Sequence, residues 1–325
     1  MIRSILTLLL LSAGTQATAQ ACGTADLIAE LTPEDRARLD AYVAPHAYPE
    51  GILFQAEKPG STVTVVGTIH LPDPRLAPIV DQVRPSLESA DLLILEASAE
   101  DEMAIQGFAA TKPELFFITE GPTLIDLLSE EEWAQVTDRL GQIGLPSVMA
   151  AQFQPWYLSM MMAIPPCAMA TMQAGQKGLD RQLEVLAQDQ DLPLATLDDT
   201  EAILRIFAEE PIETQLDGLR LSLETQAEGN ASTSTLIEAY FDGRIRESWE
   251  YGRILMDEAE VENGAEIFEE VNQALLIDRN ASWEEQFPDL LAGKDVVIAV
   301  GAAHLSGESG VLRALERLGY EISPL

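Results

Sequence analysis

Basic side chains are scarce in this chain. Its 325 residues hold 19 Lys and Arg against 54 Asp and Glu, a net charge of −35. Such a surface repels phosphate backbones and anionic headgroups, which excludes nucleic acid and acidic membranes as docking partners. The acidic residues are spread along the chain rather than gathered in a tail, as on a solvated acidic surface. Aromatic residues make up 6%, too few to suggest a lectin-like surface for polysaccharide. Cysteine occurs at Cys22 and Cys167 only, and neither lies in a motif with a histidine base, so a catalytic thiol is not indicated. Without a Cys-x-x-Cys-His motif, covalently attached haem is excluded, though loosely bound haem is not. Beyond the N-terminus no run of about eighteen apolar residues occurs, so the mature chain offers no transmembrane helix and is expected to be soluble.

What is there begins with an export signal. Arg3, the apolar run Ile5 to Leu11 and the small-residue patterns Ala17-Thr18-Ala19 and Ala19-Gln20-Ala21 read as a signal peptide over residues 1–21. Arg3 is the one charged residue there, so residues 22–325 carry −36 (−35 − 1). The expected location is periplasmic or secreted. Cys22 follows the signal directly, but Ala19 stands where a lipobox wants a large aliphatic residue, which argues against a lipid anchor. In an oxidising compartment the two cysteines invite a disulfide.

The pattern along residues 22–325 is that of one α/β domain, β-rich at about 50–100 and 290–325, with a large helical middle region at about 100–290. Thr32-Pro33 opens a helix. Gly51–Ala56 and Ser61–Val66 read as a hairpin across Lys58-Pro59-Gly60. The strand ending in Gly67-Thr68-Ile69-His70, a helix from Ala77 and the strand Asp91–Glu96 read as a parallel βαβ unit. The middle gives helices at 123–142, 155–163, 178–189, 199–210, 212–226, 231–241, 244–262 and 264–279, with a short strand at Leu192–Thr196. The C-terminus returns to a strand, Asp295–Val300, then Gly301-Ala302-Ala303-His304, a helix at Val311–Leu318 and a strand at Tyr320–Ile322.

Two of the three histidines thus occupy one position. His70 and His304 each follow a strand and a glycine, in VTVVGTIHL and VIAVGAAHL. Residues just past the carboxyl ends of parallel strands line the ligand crevice of α/β sheets, so each ring is expected at the sheet's edge rather than buried. Glu96 ends another apolar strand. Two neutral imidazoles and a carboxylate suit a divalent ion with open positions for water and substrate, or an acid/base pair; the pattern alone leaves both open.

The segments GTIHLPDPR (67–75), LLILEAS (92–98), QPWYLSM (154–160), GLDRQL (178–183), RN (279–280) and 296–325 resemble the TraB/GumN family, which includes the Tiki metalloproteases. The resemblance implies a fold similar to erythromycin esterases and ChaN-like haem-binding proteins: an α/β fold with a mixed sheet core in two related halves and helices around it. It implies a metal-dependent hydrolase, a peptidase first, acting on a peptide or protein substrate. His70 and His304 would ligate Mn, Co or Zn, with Glu96 as ligand or general base. Arg279 would hold a substrate carboxylate or stabilise an oxyanion; an ordinary Arg at a helix C-terminus is the bland alternative. The rival reading is a periplasmic binding protein that sequesters haem or a peptide without catalysis.

Other residues have structural readings first. His46 is expected on the surface, Asp73 and Arg75 as a local turn pair, Met160 to Met162 and Met169 as core, and Trp156 as packing. Asp180 is expected near a helix start and Glu308 as a helix N-terminal acid.

Overall fold

A computed structural model describes residues 22–142, 144–224, 229–258, 261 and 263–325. The signal-peptide reading lies outside the described residues. Six strands form one mixed sheet: β1 (Leu53–Lys58), β2 (Ser61–Thr68), β3 (Leu92–Leu95), β4 (Leu194–Thr196), β5 (Val296–Gly301) and β6 (Glu321–Pro324). Their spatial order is β4-β3-β5-β2-β1-β6. β1 and β2 form the expected hairpin. β4, β3, β5 and β2 run parallel, so four carboxyl ends lie side by side.

The βαβ reading needs one correction. The helix Leu76–Ser89 does link β2 to β3, but these strands are not neighbours, because β5 lies between them and pairs with both. The N-terminal and C-terminal segments therefore interleave in one sheet. The two Gly-x-x-His turns become adjacent, with Gly67 opposite Val300 and Thr68 opposite Gly301.

β3 and β5 are apolar almost throughout, and β2 is buried almost throughout, because helices cover both faces; Val63, Val65, Leu93, Ile94, Ile298 and Val300 are fully buried. The helix Leu179–Asp189 joins this core through Leu179, Leu183 and Ala187, at helical spacing. A second apolar cluster is built mainly from helices, around Leu124, Val136, Leu140, Leu158 and Leu219. Trp156 packs as expected, buried with its indole N–H donating to Leu115 O at 3.1 Å. Met162 is buried, whereas Met160 is exposed.

The helical middle also departs from its expected boundaries. The stretch 123–142 breaks into Leu124–Leu127 and Glu130–Gln142, and Ala99–Thr111 and Pro166–Gln173 are additional helices. The helix Gly264–Asn272 passes through a π-helical segment, Gln273–Ile277, into Asp278–Leu291. Cys22 and Cys167 form the expected disulfide, Cα to Cα 5.2 Å, across 145 residues of sequence. No helix among the described residues is long and apolar enough to cross a membrane.

Candidate functional site

Each of the four parallel strands delivers a polar side chain just past its carboxyl end. β2 leads to His70, β3 to Glu96, β4 to Asp198 and β5 to His304. The fifth participant, Arg279, comes from the second residue of the helix Asp278–Leu291. It is not at a helix C-terminus as the alternative reading had it, because the π-helical segment carries the chain on into a further helix; such bulges often occur at functional sites.

Arg279 is the centre of the cluster. Nη2 donates to Glu96 Oε2 at 2.7 Å and to Asp198 Oδ2 at 2.6 Å. Nε donates to Asp198 Oδ1 at 3.3 Å, and Nη1 to Leu275 O at 3.2 Å and to His304 Nε2 at 3.0 Å. A guanidinium has five N–H donors, and all of them are engaged. Held this way, Arg279 can take a substrate carboxylate only by giving up a bond.

His304 is 4% exposed, buried rather than presented at the sheet's edge as expected. Its Nδ1 lies 2.8 Å from Asn280 Oδ1, while Asn280 Nδ2 donates to His304 O at 3.3 Å. An amide oxygen accepts, so Nδ1 carries the proton and the Nε2 lone pair faces Arg279. The ring packs on Trp283, centroids 4.3 Å apart, and the Trp283 indole N–H donates to Asp198 Oδ1 at 2.7 Å. Burial pushes the imidazole down from 6.5 to about 4; Arg279 adds to the push and Glu96 opposes it. At neutral pH His304 is neutral.

Glu96 accepts the Gly301 amide through Oε1 at 2.5 Å, and that oxygen lies 3.7 Å from His304 Nε2. Burial favours its neutral form, but the charges of His304, Arg279 and His70 and the Gly301 amide outweigh it and hold the carboxyl at about 2. Gly301 is required here, since a Cβ would sit 2.9 Å from Glu96 Oε1. Asp198 is pushed up by burial, against the pull of Arg279 and Trp283. For Arg279 burial acts downward, and Glu96 and Asp198 overcome it.

His70 stands apart from this floor. Its side chain is 68% exposed, with Nδ1 3.2 Å from Asp180 Oδ2. The Asp180 contact raises its pKa against partial desolvation. Asp180 is in the first turn of its helix as expected, and a backbone bond from Leu179 N to Ile69 O at 2.9 Å joins that turn to the His70 loop. Gly178 permits the approach, because a Cβ there would fall 2.4 Å from His70 O.

A cavity of about 270 Å³ lies over the strand ends. Its floor and rim include His70, Glu96, Asp180, Asp198 and Arg279, and Ile105, Ile203 and Leu204 form an apolar wall. Of the residues expected from sequence, Glu96, Arg279 and His304 meet directly, while His70 reaches the same cavity from the other side. Asp198 and Asp180 are the participants missed. Asp198 had a legible signal: it follows the strand Leu192–Thr196 much as Glu96 follows its own strand. Asp180 lies in the GLDRQL segment that carries part of the family resemblance, but its local reading was a helix start.

The expected metal set, His70, Glu96 and His304, does not fit an ion as the side chains are arranged. The His304 lone pair and one Glu96 oxygen both point at a guanidinium, which already supplies a positive charge there. Among the described residues no group of three His, Cys, Asp or Glu side chains is placed to hold a metal.

The remaining expectations resolve locally. Asp73 and Arg75 form their turn pair at 2.9 Å. Glu308 is 74% exposed in its side chain and 3.4 Å from Arg313. His46 is not on the open surface: it is half-buried, 3.5 Å from the buried Glu250.

No curated protein matches the chain. Residues 52–324 match the sequence profile of the TraB/PrgY/gumN family, a span that contains every strand and every site residue described above. The chain belongs to the TraB/PrgY/gumN family.

Proposed function

We propose that the chain is a hydrolase of peptide bonds, with His70 as its general base. The observation that carries this reading is the His70–Asp180 pair at the cavity rim. A carboxylate on Nδ1 orients an imidazole, raises its basicity and leaves Nε2 for the reacting water, the division of labour in histidine–carboxylate hydrolases. His70 takes a proton from water, the hydroxide attacks the carbonyl carbon, and the tetrahedral intermediate collapses as the leaving amine takes the proton from His70. Of the side-chain bonds made by Arg279, the one to His304 goes to a neutral acceptor, whereas the others go to carboxylates. That N–H is exchanged at least cost for a developing oxyanion.

A peptide suits the cavity better than haem does. The volume lies below the roughly 300–1,000 Å³ of pockets for drug-sized ligands, and carboxylates on the floor would repel haem propionates. Divalent metal is no part of the step, because Arg279 fills the place where the ion would meet Glu96 and His304.

The test is digestion of a mixed peptide library by metal-stripped protein, with Mn, Co or Zn added back in parallel. Cleavage by the stripped protein that His70→Ala lacks is the expected result. Cleavage that needs an added ion would overturn the metal-free mechanism, and the absence of cleavage under any condition would overturn the hydrolase reading.

A further inference from the structure

The cavity wall beside His70 has hydrogen-bonding capacity that nothing in the chain uses. Asp180 is 7% exposed; its Oδ2 faces His70, while its Oδ1 is buried without a partner. Thr68, at the end of β2, is 4% exposed, and its hydroxyl is likewise buried without a partner. Both residues line the cavity. The bond between Leu179 N and Ile69 O places their two segments against each other. A buried acceptor left without a donor is costly, so two on one wall point to a ligand that supplies donors.

The charge balance says which kind. The lining carboxylates are Glu96, Glu102, Asp180 and Asp198, against the guanidiniums Arg181 and Arg279. Both guanidiniums are committed to carboxylates: Arg279 to Glu96 and Asp198, and Arg181 to Glu102 and Glu184, while the Arg181 Nε, which makes no hydrogen bond, stands 3.8 Å from Asp180 Oδ2. Four lining carboxylates against two guanidiniums leave the lining net negative. An anionic ligand is disfavoured, and a compact cation with several N–H donors is favoured. The apolar wall of Ile105, Ile203 and Leu204 asks for an aliphatic group on the same molecule.

We propose that Thr68 and Asp180 form a subsite for a primary ammonium group of the substrate, carried beside an aliphatic chain. In a peptide this group is the α-ammonium of the N-terminal residue or the end of a lysine side chain. The inference rests on reading this cavity as the substrate site, and it gives the hydrolase a preference for positively charged peptides.

Binding is tested apart from cleavage. Calorimetry with hexylamine, hexanol and hexanoate on the His70→Ala protein should show the amine binding about tenfold or more tighter than the alcohol, as a charge-assisted hydrogen bond implies, and hexanoate weakest. Thr68→Val should weaken amine binding several-fold, and Asp180→Asn should erase the preference for amine over alcohol. In cleavage assays with wild-type protein, N-acetylation should slow lysine-free peptides if the α-ammonium is the ligand. Rescue by an internal lysine would identify the side chain instead. Hexylamine binding no tighter than hexanol, or cleavage that changes with neither N-acetylation nor an added internal lysine, would overturn the subsite while leaving the hydrolase reading intact. Selective amine binding with no peptide cleaved would do the reverse.

Discussion

The two Gly-x-x-His turns leave adjacent, in-register strands, yet they present histidines of opposite character. His70 meets a carboxylate, stays 68% exposed and becomes more basic. His304 meets an amide and a guanidinium, lies under Trp283 and falls to about 4. The backbone motif is shared; the chemistry of each ring is set by what other elements pack against it. The Asp180 helix makes one imidazole more basic. The Arg279 helix turns the other into a neutral acceptor fixed in one tautomer. A repeated motif therefore does not imply a repeated role.

The comparison breaks most severely at Arg279. Arg279→Ala leaves Glu96 and Asp198 buried without their cation, and removing one partner of such a cluster costs about 3–5 kcal/mol. Urea denaturation should show that loss; a change under 1 kcal/mol, roughly the value of an exposed ion pair, would mean that the cluster is solvated. The next test separates the two rings. His70→Ala should lower cleavage by about 10²–10⁴-fold, the usual contribution of a general base, with an unchanged denaturation midpoint, since the side chain is exposed. His304→Ala should lower both, because it opens a buried polar site. If His304→Ala alone abolishes cleavage and His70→Ala does not, the roles assigned to the two turns are reversed.

Acid sharpens the same contrast. The stabilising contribution of neutral His304 is complete above pH 6.5 and is lost as pH falls to about 4. That of ionised Glu96 is complete above 4.5 and is lost as pH falls to about 2. Each displacement is equivalent to roughly 3 kcal/mol, shared between groups in contact rather than summed. Chemical denaturation across pH 7 to 3 should show wild-type stability falling through this range, and His304→Gln should flatten the part above pH 4. The smallest effect is expected at Asn280→Ala, about 1–2 kcal/mol for a lost buried hydrogen bond. In this variant the His304 ring no longer has a fixed tautomer, which nitrogen chemical shifts would report directly.

Part of the site was legible because it is local. A β-branched run ending in glycine and histidine identifies a strand and the turn after it, which located His70, His304 and Glu96 at strand ends. The disulfide followed from having only two cysteines in a chain expected to be exported. What was not legible depends on contacts between distant segments. The insertion of β5 between β2 and β3 depends on pairing across some two hundred residues of sequence, and no local pattern encodes a neighbour that far away. The π-helical segment before Arg279 hid the continuation of its helix, because 3.6-residue periodicity is lost across the extra residue.

Alone, the sequence determined the α/β class, the strand ends that carry the polar cluster and the acidic surface, since these follow from residue type and short-range periodicity. Only the tertiary structure decided that Arg279 would fill the space between Glu96, Asp198 and His304, that Asp180 would reach His70, and hence that one histidine is made more basic and the other is held neutral. Burial and partner charge set a side chain's protonation, and both are properties of what surrounds it in space.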